Sequence, residues 1–196
     1  MKEFLTNSRL DKITNAVKSR QHSLYVVLEN IHDPHNVSAI YRSCDAVGVA
    51  RVGLLYTVEE FPRISKVSSA SAMKWIETDK YKSVDECYKS LRSRNFKIYA
   101  TMLDETAESI YNLDLTENIA IVMGNEHRGV SEEAAEKADI NVFIPMRGMI
   151  QSLNVSVATA VTLFEAQRQR EIKGMYTNNG LSEQQINDQI DVWANK

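Results

Sequence analysis

"LYVVLENIHDPHNVSAIYRSCDAVGVARVGLLY", residues 24–56, decides the fold. LYVVLE (24–29) and RVGLLY (51–56) are apolar without alternation, as expected of strands covered on both faces. Between them Val37, Ile40, Tyr41, Cys44 and Val47 recur at helical spacing, and Gly48 stops the pattern. Strand, helix and strand in this order predict a parallel crossover.

The same alternation runs on through the chain. FKIYATM (96–102), IAIVMG (119–124) and INVFIP (140–145) have strand length, a short strand is expected near KWIE (74–77), and Val84, Cys87, Tyr88 and Leu91 form another helical stripe. The class is α/β, a mostly parallel, doubly wound sheet with helices on both faces. From Val155 to Ala166 the sequence is apolar nearly all round, which predicts a buried helix.

Three segments follow. Residues 1–23 form a basic helical extension, with Ser8 as cap and Leu10, Ile13 and Val17 as its apolar stripe; 24–172 hold the main domain; 173–196 form a turn and short helix. In that last helix Ser182 and Gln185 make a capping box, Leu181 and Ile186 a staple, and Ile186, Ile190 and Trp193 a stripe that docks on the domain or on a partner subunit. There is no internal repeat.

With 196 residues and 43% hydrophobic content the chain can bury a real core. Cys44 and Cys87 fit neither a disulfide framework nor a zinc pattern, and no stretch approaches the roughly 20 apolar residues that span a bilayer. A cytoplasmic protein with reduced thiols and no membrane contact is expected. The net charge is −3, yet basic residues cluster: Lys2, Arg9, Lys12, Lys18 and Arg20 against Glu3 and Asp11, then Arg168, Arg170 and Lys173 against Glu171. Such patches can bind phosphates on an acidic protein, so Arg9, Lys12, Lys18, Arg20, Arg168 and Arg170 are the expected phosphate contacts, of an RNA where one binds; solvated helix faces are the alternative.

Open parallel sheets bind ligands beyond the carboxyl ends of their strands, and three such loops here are unusually polar. In the first, Asn36 is placed to cap the following helix, with Ser38, Arg42 and Asp45 opposite its apolar stripe and Arg42 in reach of Asp45. In the second, MGNEHRGVSEE, Ser131 caps a helix, but Asn125, Glu126, His127 and Arg128 exceed what a turn requires. In the third, Gly148 permits a bend before Gln151, Ser152 and Asn154, three hydrogen-bonding side chains at the mouth of a helix that needs one cap. No phosphate loop or dinucleotide fingerprint is present, and His32 and His35 lack a third ligand, so no metal is assigned.

NVSAIYRSCDAVGV, IVMGNEHRGVS and IPMRGMIQSLNVSVATAVTLFEAQRQR resemble, in order, the three motifs of the SpoU-type RNA ribose 2′-O-methyltransferases of the SPOUT superfamily, over roughly residues 24–170. The trailing RQR and GMY, and Ser38 where much of the family has glycine, bring the chain nearest the TrmH subgroup, which acts on the guanosine at tRNA position 18. The resemblance implies S-adenosylmethionine as methyl donor, a homodimer with its active site at the interface, and a C-terminal trefoil knot. It assigns Asn36, Arg42, Glu126, Ser152 and Asn154 to catalysis. It places the cofactor against Leu103, Gly124, Ile144, Met146, Ser152, Leu153 and Asn154. It also casts Arg42 as catalytic, sometimes as general base. A guanidinium with a pKa above about 12 suits orienting a phosphate better, which leaves Glu126 or His127 as proton acceptor. A ribosomal RNA methyltransferase and a non-catalytic RNA-binding protein on the same fold are the alternatives.

Overall fold

The computed structural model describes residues 6–62 and 72–196; Lys2 and Glu3 lie outside them. Seven parallel strands form one sheet: β1 (Gln21–Glu29), β2 (Val49–Leu55), β3 (Glu77–Tyr81), β4 (Lys97–Thr101), β5 (Glu108–Ser109), β6 (Ile119–Met123) and β7 (Ile140–Phe143), in the order β3-β2-β1-β6-β4-β7-β5. The helices are α1 (Asn7–Lys18), α2 (Pro34–Ala46), α3 (Val84–Arg92), α4 (Glu132–Lys137), α5 (Val155–Ile172) and α6 (Glu183–Ala194). None of the described helices is long and apolar enough to cross a membrane.

The unbroken apolarity of the strands is explained by two cores. Leu24, Val26 and Leu28 of β1 face α2 and α5, while Tyr25 and Val27 face α3 and α4. Ile13 and Val17 of α1 pack with Ile190 and Trp193 of α6, so the C-terminal helix docks within the chain. β6 sits between β1 and β4, and the order of strands reverses there, opening a crevice at the carboxyl ends of β1 and β6.

Several local expectations are corrected. Thr6, not Ser8, caps α1, accepting from the Arg9 amide at 3.3 Å. Asp33 caps α2, accepting from the His35 amide at 2.8 Å, because Pro34 is pre-set for the first helical turn; α2 therefore starts earlier and leaves the Asn36 side chain free of capping. Residues 72–74 form a short 3-10 turn and β3 begins only at Glu77, so KWIE leads into the strand. The two-residue β5 carries too little pattern to be read in advance. Ser38 is buried instead of facing solvent, its Oγ donating to the Pro34 carbonyl at 2.9 Å.

α5 is also less buried than its composition implies. Val155, Thr159, Thr162, Leu163, Ala166 and Arg170 face inward, but Val157 and Phe164 are 47% and 52% exposed, on the opposite stripe.

Candidate active site

The polar loop after β6 is built around a close approach that only glycine allows: a Cβ on Gly124 would overlap the Gly129–Val130 peptide. Asn125 and Gly129 exchange backbone hydrogen bonds at 2.9 and 2.8 Å across the loop, with Gly129 at φ 69°. The Asn125 side chain accepts from the His127 and Arg128 amides and donates to the Asn30 carbonyl at 2.7 Å. Asn30, at φ 49°, in turn accepts at its Oδ1 from the amides of Thr57, Val58 and Glu59. One asparagine at the end of β1 thus ties three loops. Glu29, buried beside it, accepts from the Ser131 amide at 3.0 Å and hydroxyl at 2.5 Å, holding the start of α4.

On this frame stands a chain of three side chains. Glu126 accepts from the His32 amide (3.0 Å), the Asp33 amide (3.2 Å) and Asn36 Nδ2 (2.8 Å). Asn36 Oδ1 accepts from Asn154 Nδ2 at 3.1 Å, and Asn154 Oδ1 caps α5 through the Ser156 amide at 2.9 Å. Each amide is oriented by its neighbours, and each polar loop supplies one member. Burial acts to raise the Glu126 pKa, but the Asn36 hydrogen bond and the His32 and Asp33 amides overcome it and leave the pKa below its ordinary 4.5. Glu126 is therefore a fixed anion at the amino end of α2, where the helix dipole also favours it.

Beside this chain lies a cavity of ≈ 1060 Å³ at the carboxyl ends of β4, β6 and β7. Leu103, Gly124, Ile144, Met146, Ser152, Leu153 and Asn154 all line it, together with Glu126 and His127. The wall mixes apolar side chains with polar groups of the β6 loop and of the loop before α5, a composition suited to a small-molecule site.

The structure brings Asn36, Glu126 and Asn154 together and puts Ser152 on the same cavity. It does not bring Arg42 there: this side chain is exposed on α2, about 9 Å beyond Asn36 along the helix axis, and outside the cavity wall. Arg42 does not pair with Asp45 either, because Asp45 forms an ion pair with Arg20.

Two of the expected RNA contacts are buried in this chain. Arg20 is 4% exposed, donates to the Val49 carbonyl at 3.0 Å and stacks over Trp193 at 4.9 Å. Arg170 is 0% exposed and gives its donors to the carbonyls of Leu115, Ser23 and Glu117, to Gln21 Oε1 and to Ser23 Oγ. Carbonyls at the amino ends of strands satisfy it without a carboxylate, so burial lowers its pKa to about 10. Arg9, Lys12 and Lys18 are exposed on α1, and Arg168 is exposed in a bidentate pair with Glu165. Sequence reasoning missed Glu29 and Asn30 altogether, although polar residues directly after an apolar strand were a usable signal, and it noted Asn125 without a role.

The SpoU rRNA Methylase family model matches residues 23–164. A tRNA (guanosine(18)-2′-O)-methyltransferase of Thermus thermophilus is 42% identical over 191 residues, 97% of this chain and 98% of that protein. The crystal structure of the A. aeolicus TrmH/SpoU tRNA modifying enzyme superposes with a TM-score of 0.88 at 39% identity, covering 96% of this chain and 95% of that one. The SpoU methyltransferase AviRb from Streptomyces viridochromogenes, solved in complex with AdoMet, has a TM-score of 0.70 at 27% identity, over 78% of this chain and 62% of that one. With two of the three motif loops lining one cavity, the other tied to them through Asn36, and relatives alike from end to end, this chain belongs to the SpoU methylase family.

Proposed function

We propose that the protein methylates a ribose 2′-hydroxyl of tRNA, at guanosine 18, with S-adenosylmethionine as donor. The observation that carries this reading is the Glu126–Asn36–Asn154 chain at the edge of the cavity, a fixed set of hydrogen-bonding groups beside a partly apolar chamber. The tRNA substrate is supported by relatives of that name that match this chain almost end to end, whereas a 23S rRNA methyltransferase of Xanthomonas campestris is 35% identical and covered over 65% of its length.

The cavity suits the donor: it is large enough for a nucleoside with an amino-acid tail, and Leu103, Ile144, Met146 and Leu153 offer apolar surface for the adenine while Gly124 and Ser152 offer polar backbone. When bound, the cofactor supplies an electrophilic methyl group. Asn36 and Asn154 would orient the ribose, since alignment of the attacking oxygen contributes several kcal/mol. Glu126, with three donors already on its carboxylate and a depressed pKa, serves to hold Asn36 rather than to take the proton.

The homodimer belongs to the same proposal. Val157 and Phe164 form an exposed apolar stripe on α5, and the distance of Arg42 from its own cavity is accounted for if it serves the cavity of a second subunit, holding a phosphate near the target ribose. A trefoil knot in the C-terminal third fits β6 lying between β1 and β4 and α5 returning onto α2. A tRNA substrate also implies a cytoplasmic location. The test is incubation of the purified protein with donor and unmodified tRNA, with ribosomal RNA in parallel, followed by mapping of 2′-O-methyl groups. Methylation at tRNA guanosine 18 is expected; methylation confined to ribosomal RNA, or none, overturns the proposal.

A further inference from the structure

At the opposite end of the sheet lies a second cavity, of ≈ 420 Å³, which the methyl-transfer reading leaves unused. Its wall comes from the amino ends of the parallel strands, through Arg20, His22, Arg51, Glu77 and Phe96, and from Trp193 and Lys196 at the end of α6. With five residues in β6 at about 3.3 Å each, it stands roughly 15 Å from the first cavity.

The wall is made of planar cations stacked on aromatic rings. Arg20 lies 4.9 Å over Trp193, and Arg94 lies 5.0 Å over Tyr25 and 5.6 Å over Phe96. Trp75 packs on Trp193 with ring centroids 4.9 Å apart and remains half-buried. Asp45 pairs with Arg20, Glu77 and Asp79 pair with Arg51, and Asp79 also pairs with Arg94. Burial first, then the Arg20 and Arg51 charges, lower the His22 pKa. Arg20 is itself almost fully buried, and its Nε has no acceptor among the described residues. An N–H donor is left over where buried donors are nearly always matched.

We propose that this cavity is a nucleotide-binding site, in which the phosphate meets the arginines and Lys196 and the base stacks on Trp75. Guanidinium planes and an aromatic face are what bind a single unstacked nucleotide, and neither a bare anion nor an apolar ligand would use both. The nucleotide is either free in solution or part of an RNA that reaches across the protein.

Intrinsic fluorescence reads the site directly, because both tryptophans of the chain line it. Titration with guanosine monophosphate is expected to quench that fluorescence saturably, with guanosine and inorganic phosphate each at least about tenfold weaker. The Arg51→Gln/Arg94→Gln double variant should bind the nucleotide about tenfold more weakly while binding S-adenosylmethionine as wild type does. If that variant fails to fold, as lost cofactor binding would reveal, Lys196→Gln takes its place. Competition with tRNA separates the sources: displacement identifies an RNA nucleotide, and its absence identifies a free one. No quench by either the mononucleotide or tRNA, or a quench unchanged in the variants, overturns the proposal. Cofactor binding and methylation, measured on the same samples, report separately on the methyl-transfer reading.

Discussion

Asn154 donates to Asn36 at 3.1 Å, joining the cap of α5 to the first turn of α2 across 118 positions of sequence. Its Oδ1 and its Nδ2 have different tasks, helix capping and orientation of Asn36. Aspartate caps as well as asparagine but cannot donate. Asn154→Asp is therefore expected to unfold within about 0.5 kcal/mol of wild type and to lose about 10- to 100-fold in turnover. Denaturant melts and single-turnover methylation check this; a wild-type rate would remove the Asn36 contact from the mechanism.

The depressed pKa of Glu126 predicts a pH dependence. A carboxylate whose folded pKa lies below its unfolded value stabilises the fold above the unfolded value, here near the ordinary 4.5, and loses that contribution as pH falls through the folded pKa. Glu126→Gln removes the titrating group and sets an amide donor either against the His32 amide or against the Asp33 amide and Asn36 Nδ2. The stability difference between wild type and variant should be constant around neutral pH and shrink in acid below the ordinary carboxylate range. A difference independent of pH down to full protonation would contradict the assignment.

If Arg42 serves the partner's cavity, two dead enzymes should complement each other. Equal amounts of Arg42→Ala and Glu126→Ala subunits, unfolded and refolded together, yield mixed dimers with one intact site, and about a quarter of wild-type activity is expected by random pairing. Refolded separately, neither variant should recover. Phe164→Asp, placing a charge on the exposed stripe of α5, should give an inactive monomer in sedimentation. An active monomer would show that one chain completes its own site.

The arginines and lysines separate by exposure. Arg9→Gln/Lys12→Gln should leave stability unchanged and reduce the salt dependence of tRNA binding by about one unit of slope per residue. Arg170→Met should cost about 3 kcal/mol or more by leaving buried carbonyls without donors, and leave the slope unchanged. A steep slope change in Arg170→Met with intact folding would reverse the two roles.

Much of the architecture was legible because it rests on burial: the strands at 24–29 and 119–124 are apolar on both faces, and the sheet covers both faces of each. The three polar loops were legible because they exceed turn chemistry, and one member of each converges in the Glu126–Asn36–Asn154 chain. Long-range pairing was not legible. Arg170 and Arg168 look alike in RQR, and only the packing of α5 against the 113–118 segment makes one a buried brace and leaves the other at the surface. Asp45 belongs to Arg20, 25 positions away, rather than to Arg42 in the next turn. The exposed stripe of α5 was misread because the segment is apolar nearly all round, and composition does not say which face the fold covers.

The insertion of β6 between β1 and β4 sets the order of events during synthesis. β1 can pair with β2 early, but its other edge must wait for β6, whose Ile119 pairs with Leu24. At about 5–20 residues per second on the ribosome, that edge is open for on the order of ten seconds. Open apolar edges template wrong pairings, and pairings so distant in sequence form slowly. The nascent chain is thus most vulnerable to aggregation in the interval before its central strand arrives, and its active site can assemble only after α5 has emerged.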